Sequence, residues 1–388
     1  MSDHAKMPWR DYGALVAAIA VAGLGLGTAL PLSALTLDRW GFGNHVVGAL
    51  AALTSAGILL VAPFVARWTR RCGARRLLLG AVVVSVASIA VLDASRDLVV
   101  WSIARLVFGA AMGVLFTIGE AWINRVLPAA QRGRWLGVYA SIFTLCQLAG
   151  PLLVKAIDGA ALPFVVTGLL FLPALPIIAL LREAARDDGL SATAPPRMRS
   201  VLPQMQVIVA GTAFFALFDT VALSLLPLFG LRHGLGESVA LYATSAVIAG
   251  DTVLQPIIGW LSDRYGRARM HAACGAAQVA AALALPFAVH AGWLLWPLLL
   301  LLGASAGGIY VLSLVATGER FGGERLIAAS AVINVSWGIA GIVGPLLTGA
   351  AMEAFGPDAL PVALAVCALL FLLVQRLERT RTVAELPT

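Results

Sequence analysis

Three ionisable side chains interrupt long apolar stretches of this sequence, and they are the residues best placed to do chemistry. They are Arg105, Asp219 and Asp251. A charge in hydrocarbon is unfavourable unless it faces a partner or a water-filled cavity, so each is a functional candidate. The two carboxylates could bind and release protons, and Arg105 could hold a proton-linked or substrate-linked charge. Each could instead be a structural group held by hydrogen bonds to a neighbouring helix.

Uncharged polar residues at helical spacing extend these candidates into a predicted substrate cavity. Gln255 follows Asp251 by four residues, a spacing that places both side chains on one helical face. Asn334 and Trp337 combine an amide with an aromatic ring, which is a common way to hold a partly apolar solute. The predicted cavity residues are completed by Gln147 and by Glu120, which shares a helical face with Arg105.

The sequence contains no motif typical of an enzyme, a metal site or a bound cofactor. It has no His-Glu-x-x-His pair and no nucleotide-binding loop. The four cysteines are far apart, so neither metal ligation nor disulfide formation is expected. We therefore predict a protein that is not an enzyme and needs no metal or cofactor.

The composition is that of an integral membrane protein. Of 388 residues, 60% are hydrophobic and 12% are charged, and the mean hydropathy is +0.91. A soluble core cannot bury so much apolar surface. The net charge of +7 does not indicate nucleic-acid binding, because no basic helix or RNA-binding signature accompanies it. The expected partners are the lipid bilayer, protons and a small-molecule substrate, and the chain is expected to be monomeric.

Twelve stretches are long and apolar enough to form membrane-spanning helices, each of which needs about 20 residues. They cover residues 13–36, 44–66, 77–93, 98–122, 134–156, 162–181, 204–230, 238–261, 270–289, 293–317, 327–351 and 357–376. Most of the 27 Lys and Arg residues fall in alternate connecting segments, which are cytoplasmic by the positive-inside rule. Both termini are therefore predicted to lie on the cytoplasmic side of the cytoplasmic (inner) membrane.

The two halves of the chain repeat the same landmarks at a nearly constant offset. Pro63 precedes Gly73 by ten residues, and Pro256 precedes Gly266 by the same ten, 193 residues later. Further repeats pair Gly109 and Gly113 with Gly303 and Gly307, Gly150-Pro151 with Gly344-Pro345, and Pro31 with Pro227. Ordered repeats of this kind indicate an internal duplication. The prediction is an all-α membrane fold of two six-helix bundles, 1–181 and 204–388, joined by a cytoplasmic linker at 182–203.

Duplicated bundles of this kind predict a moving structure. The two bundles would be related by a pseudo-two-fold axis along the membrane normal, with substrate bound between them near the middle of the bilayer. Access to the substrate would alternate as one bundle rocks on the other. Proline removes a backbone hydrogen bond and loosens a helix, so helix hinges are predicted at Pro31, Pro151, Pro227, Pro256 and Pro345.

The turn between the stretches 238–261 and 270–289 carries a recognisable pattern. It reads Gly259-x-Leu-x-Asp263-Arg264-x-Gly266-Arg267, and a second motif reads Arg105-x-x-x-Gly109-x-x-x-Gly113. Both resemble signatures of the major facilitator superfamily, and the resemblance covers nearly the whole chain. Glu120-Ala-Trp122-Ile-Asn124 and Asp251-x-x-x-Gln255-Pro256 are similar to its bacterial drug- or sugar-efflux-like branch. The resemblance implies a secondary transporter whose first-named motif takes part in gating.

The first-half copy of this turn departs from the family pattern. Aligned on Gly73, the acidic position is occupied by Arg70, and Arg71 follows it. In the family this acid is thought to brace the inner ends of neighbouring helices in the outward-open state. The brace is therefore either absent here or supplied by another carboxylate, such as Glu120.

These observations predict a proton-coupled secondary active transporter of a small organic solute, working by alternating access. Export of amphipathic or cationic compounds is the first choice, since acidic groups attract cations and apolar walls tolerate varied solutes. The alternative is a sugar or metabolite transporter, as a symporter or a facilitator, which would need more amide, hydroxyl and aromatic groups in the cavity. A membrane sensor or a channel is the alternative from another class of protein, although no appended soluble domain or continuous polar path is evident.

Overall fold

The structure, a computed structural model, describes residues 9–126, 132–157, 159–181, 198–321 and 323–384. Within these ranges the chain is helical apart from short turns, and no strand is present. A chain in hydrocarbon has no water to satisfy its backbone N–H and C=O groups, and an α-helix satisfies them within one segment. The predicted all-α membrane class is confirmed.

Fifteen α-helices follow one another in the described ranges. The first half contains α1 (Trp9–Arg39), α2 (Asn44–Cys72), α3 (Ala74–Ala94), α4 (Leu98–Val126), α5 (Arg132–Ala156), α6 (Pro163–Leu169) and α7 (Ala174–Ala179). The second half contains α8 (Met198–Val201), α9 (Gln206–Ser224), α10 (Leu226–Arg232), α11 (Glu237–Tyr265), α12 (Arg267–Ala288), α13 (Leu295–Arg320), α14 (Gly323–Phe355) and α15 (Ala359–Ala384). Most of the long helices run past the predicted apolar stretch, because polar residues continue the helix beyond the hydrocarbon.

Eleven helices in the described part of the chain are long and apolar enough to cross a membrane, whereas twelve were predicted. The exception is the predicted span 162–181, which forms the two short helices α6 and α7 with a turn between them. Pro173 and Pro176, three residues apart, each lack a backbone N–H, and the interruption of the helix ends at Pro173. The chain is a multi-pass membrane protein, while a twelfth span and the two-fold relation between the halves stay predictions.

The predicted span 204–230 is also divided. Helix α9 ends at Ser224, and α10 begins at Leu226 with Pro227 in its first turn. The predicted hinge at Pro227 therefore coincides with a helix boundary. The other predicted hinges lie inside continuous helices, namely Pro31 in α1, Pro151 in α5, Pro256 in α11 and Pro345 in α14.

The chain divides into two compact units. The first comprises Met1–Leu32 and Leu53–Ser191, and the second comprises Ser33–Ala52 and Ala192–Thr388. This division differs from the predicted bundles in placing the end of α1 and the start of α2 with the second unit. Residues 182–197 of the predicted linker lie outside the described residues, and the rest of the linker forms α8 and a short 3-10 turn. The predicted domain boundaries stay predictions.

Glycines bring helix backbones into direct contact within each unit. In the first unit, Gly109 on α4 faces the backbone of Thr54 on α2. In the second unit, Gly303 on α13 faces the backbone of Val247 on α11. A side chain at either glycine would collide with the opposite helix, which is the role of small residues at membrane helix crossings. Reciprocal contacts at the same two crossings are made by Gly57 with Leu106 and by Gly250 with Leu300.

Candidate functional site

Asp251 is a buried carboxylate on α11, with 7% of its surface exposed. Gln255, one turn later, donates a hydrogen bond from Nε2 to Asp251 Oδ1 at 2.7 Å. The carboxylate lies against Gly307 of α13, where the Cβ of any larger residue would collide with it. The crossing of α11 and α13 is thus shaped to hold one acidic group.

Asp219 on α9 is the second carboxylate of this region. It is half-buried, and its charge interacts electrostatically with that of Asp251. Both residues belong to the second unit. Like charges repel one another, so binding of a proton or a cation would relieve the repulsion. We refer to Asp219 and Asp251 as the acid pair.

Three aromatic rings from three helices of the second unit come into contact. Phe215 on α9 and Tyr310 on α13 stack with their ring centroids 4.7 Å apart. The ring of Trp337 on α14 lies 5.6 Å from that of Phe215 and 5.3 Å from that of Tyr310. Phe215 is one helical turn from Asp219, and Tyr310 is about one turn from Gly307. We call Phe215, Tyr310 and Trp337 the aromatic cluster; Phe215 shares α9 with Asp219, and Tyr310 shares α13 with Gly307, which Asp251 contacts.

Only Trp337 of the aromatic cluster is a candidate from sequence, and the other two rings were missed. The available signals were the position of Phe215 one turn before Asp219 and the isolation of Tyr310 among small and aliphatic residues of α13. Asn334, the amide predicted beside Trp337, is exposed. Among the contacts of the described residues, none joins Asn334 to the aromatic cluster, so its part in a cavity stays a prediction.

Arg105 lies in the first unit and is 1% exposed. The centre of its guanidinium is 5.7 Å from the centroid of the Phe108 ring, a distance typical of a cation–π contact. Its Nε and Nη1 atoms have no hydrogen-bond partner among the described residues. A buried cation with unused donors is an unfavourable arrangement, which a bound anion or a change of conformation would relieve.

The other two first-half candidates are less informative. Gln147 is buried on α5, and its backbone is the surface against which Gly27 of α1 packs. It therefore lies at a close helix crossing. The side chain of Glu120 lies outside the described residues. That Glu120 takes the role of the acid missing at Arg70 therefore stays a prediction. Within the described ranges, no three His, Cys, Asp or Glu side chains come together as metal ligands.

The turn of the second unit, between α11 and α12, is built around Gly266. This glycine has φ +90°, a conformation that residues with a Cβ rarely adopt. Arg267 forms an ion pair with Asp263 at 3.6 Å and another with Glu319 near the end of α13. Acids of the same unit therefore neutralise this part of the predicted gating motif.

Two further members of the motif lie in the last turns of α11. Gly259 has open space where a side chain would be. The guanidinium of Arg264 lies 5.7 Å from the ring centroids of Trp260 and Tyr265. These contacts keep the cation beside exposed aromatic rings at the end of the span.

The equivalent turn of the first unit has the same backbone but different charges. Gly73 has φ +84° and separates α2 from α3. Arg70 and Arg71 are exposed in the last turn of α2, where the second unit has Asp263. The acid of the family pattern is therefore absent from this turn.

Ion pairs that the sequence did not predict hold residues 33–52 to other helices of the second unit. Asp38 pairs with Arg232 at 2.5 Å, and Arg39 pairs with Glu237. Glu353 of α14 accepts a hydrogen bond of 2.7 Å from the first backbone N–H of α2. A carboxylate at a helix N-terminus is stabilising because of the helix dipole. The end of α1 and the start of α2 are thus held by charge to α10, α11 and α14.

Known proteins match this chain over most of its length. The sequence profile described as Major Facilitator Superfamily matches residues 15–250 and again residues 208–387. YfkF of Bacillus subtilis strain 168, named as an uncharacterized MFS-type transporter, is 23% identical over 353 residues, which cover 88% of each chain. YE1530 of Yersinia enterocolitica, named in the same way, is 22% identical over 368 residues, or 93% of each chain.

A third relative gives the same result. YcaD of Escherichia coli strain SE11, also named as an uncharacterized MFS-type transporter, is 24% identical over 281 residues, which cover 71% of each chain. These relatives are named as transporters and not as enzymes, and the family profile spans both halves of the chain. The chain therefore belongs to the Major Facilitator Superfamily and is a membrane transporter of that family.

Proposed function

We propose that this protein is a proton-coupled secondary active transporter that exports amphipathic or cationic organic compounds by alternating access. In this proposal it lies in the cytoplasmic membrane with both termini in the cytoplasm. The observation that carries it is the acid pair, in which a buried carboxylate and a half-buried one interact inside an apolar unit. Intramembrane carboxylates are typical of proton pathways in transporters.

The acid pair gives a physical basis for exchange. Because the two carboxylates repel each other, the acid pair is stabilised when it binds either a proton or a cationic solute. If one occupant excludes the other, the protein carries protons in one direction and the solute in the other. The hydrogen bond from Gln255 orients the Asp251 carboxylate, and Gly307 leaves room for it beside α13.

The aromatic cluster supplies the apolar part of the proposed site. Tyr310 and Trp337 are partly exposed, so their rings can meet a solute. An aromatic face attracts a cation, most strongly where water is excluded. A solute with a positive charge and an aromatic or aliphatic body would therefore match both the acid pair and the adjoining rings.

Arg105 and the glycine turns have proposed roles in the transport cycle. Arg105 is an ionisable group in addition to the acid pair. Its unused donors can gain partners when the conformation changes. Arg267, at the start of α12, pairs with Asp263 of α11 and with Glu319 of α13, and so links the ends of these helices. We assign the breaking and re-forming of these ion pairs to gating.

Transport into liposomes tests this function. Purified protein is reconstituted in vesicles with an acidic interior, and accumulation of the cation tetraphenylphosphonium is followed. The wild-type protein should accumulate the cation as protons leave, and Asp219→Asn should abolish this coupling. Asp358→Asn, which changes an exposed carboxylate of the same unit outside the acid pair, is the matched control. Undiminished proton-driven accumulation by the Asp219→Asn protein would remove the acid pair from the mechanism.

A sugar or metabolite transporter is the second candidate function. It is favoured by the amides of Gln255, in contact with Asp251, and of exposed Asn334, one turn from Trp337. Amides beside an aromatic ring suit a hydroxylated solute. Uptake of radiolabelled sugars by the same vesicles, without accumulation of the cation, would favour this candidate over export of cations.

A further inference from the structure

Five arginines crowd the turn between α2 and α3. They are Arg67, Arg70, Arg71, Arg75 and Arg76, and no acidic residue lies among them in the sequence. Four of them are exposed and Arg75 is partly exposed. We call these five residues the arginine cluster. The proposed transport function does not use it.

The second unit shows how such a turn is neutralised when acids are present. There Arg267 is paired with both Asp263 and Glu319. In the arginine cluster, by contrast, no carboxylate of the described residues pairs with Arg67, Arg71 or Arg76. Two turns with the same glycine conformation therefore differ in the charges beside them, and Arg67, Arg71 and Arg76 are available to anions from outside the described residues.

The position of the arginine cluster indicates where those anions come from. Helix α2 is a candidate membrane span that ends at Cys72, and the span of α3 begins at Ala74. The cluster therefore lies at the boundary between hydrocarbon and water. Phe64 precedes Arg67 by three residues and Trp68 follows it, and their rings stack with centroids 5.8 Å apart and are 50% and 39% exposed. Exposed aromatic rings at this depth are typical of the lipid headgroup region.

We propose that the arginine cluster, together with Phe64 and Trp68, is a binding site for the phosphate headgroups of anionic phospholipids. Guanidinium groups present paired donors that match phosphate oxygens, and clustered cations beside a span attract anionic lipids. The two rings pack against the glycerol and upper acyl region of the bound lipid. Lipid phosphate thus balances in the first unit the charge that Asp263 and Glu319 balance in the second.

The test measures lipid binding to the detergent-solubilised full chain. Cardiolipin and phosphatidylcholine are titrated separately, and native mass spectrometry counts the lipids bound per protein. The test variant carries Arg67→Gln, Arg71→Gln and Arg76→Gln. The control variant carries Arg199→Gln, Arg269→Gln and Arg376→Gln, which remove the same number of exposed charges from the second unit.

The test variant should need about tenfold more cardiolipin for half-saturation, with phosphatidylcholine binding unchanged. The control variant should stay within about twofold of the wild type, because it leaves the arginine cluster intact. Replacing the same three residues, Arg67, Arg71 and Arg76, by Lys keeps the charge and should retain binding within about threefold, which separates lost binding from misfolding. Unchanged cardiolipin binding in the glutamine variant, or an equal loss in the control, would overturn the proposal.

Discussion

The carboxylate of Asp251 packs directly against Gly307, the second glycine of a pair that also includes Gly303. In the first unit the equivalent second glycine, Gly113, instead meets the apolar residues Ile58 and Val61 of α2. The same glycine spacing therefore serves plain helix packing in one unit and accommodates an acid in the other.

Replacing Gly307 with alanine should displace the Asp251 carboxylate, because the new Cβ has no space beside Oδ1. We expect proton-driven transport by Gly307→Ala to fall at least about tenfold, the effect of roughly 1.4 kcal/mol on a rate. Gly318→Ala on the same helix is the control, since open space surrounds that position. Transport is measured in acid-loaded liposomes, and equal rates for the two variants would contradict the assigned contact.

Removing the Trp337 ring should weaken binding of an aromatic cation. A cation–π contact contributes about 0.5–2 kcal/mol, so Trp337→Ala is expected to raise the Kd for tetraphenylphosphonium roughly tenfold. Tyr310→Phe keeps the ring and should have a small effect. Trp296→Ala, which removes a ring elsewhere in the second unit, should leave the Kd unchanged. Equilibrium dialysis on solubilised protein gives the values, and equal losses for Trp296→Ala and Trp337→Ala would refute a specific role of the cluster.

A side chain at Gly266 should destabilise the fold through the backbone. The φ of +90° at this residue costs a residue with a Cβ about 1–2 kcal/mol, so Gly266→Ala should lower the thermal unfolding midpoint. Gly259→Ala, seven residues earlier in open space, should leave stability unchanged or slightly raise it, because alanine favours a helix. A midpoint lowered equally by both substitutions would show that the turn conformation is not the cause.

Neutralising the partners of Arg267 should slow transport without affecting solute binding. Asp263→Asn and Glu319→Gln each remove one ion pair of Arg267, at the turn between α11 and α12. Both are expected to reduce turnover several-fold while the Kd for tetraphenylphosphonium stays the same, since neither residue adjoins the acid pair in sequence. Turnover in liposomes and Kd in detergent are compared for each variant. Wild-type turnover in both would exclude this turn from gating.

The sequence was sufficient to locate most helices and the residues of the acid pair. Spans of about 20 apolar residues define helices in a bilayer with little dependence on tertiary contacts. Asp219 and Asp251 stand out because charge is rare in such spans. The predicted span 162–181 is divided into α6 and α7, because length and hydropathy were counted while Pro173 and Pro176, close together in its middle, were not.

Contacts between distant helices could not be predicted in the same way. Phe215 and Tyr310 look like ordinary apolar residues until the packing of α9, α13 and α14 brings their rings to Trp337. The pairing of Asp38 with Arg232 likewise depends on which helix ends are neighbours in the fold. The pattern of charges along the sequence does not show which ends these are. Local spacing predicts what one helix presents, and only the tertiary fold decides what it meets.

Where Gly109 meets Thr54, and where Gly303 meets Val247, no side chain separates the two helix backbones. If either helix rotated about its own axis, a larger residue of that helix would replace the glycine at the crossing and collide with the backbone of the facing helix. Neither member of such a couple can turn independently, so α2 with α4 and α11 with α13 have to travel together at these crossings. In the proposed transport cycle, the flexibility would then lie in the connections between these helix pairs and not in single helices.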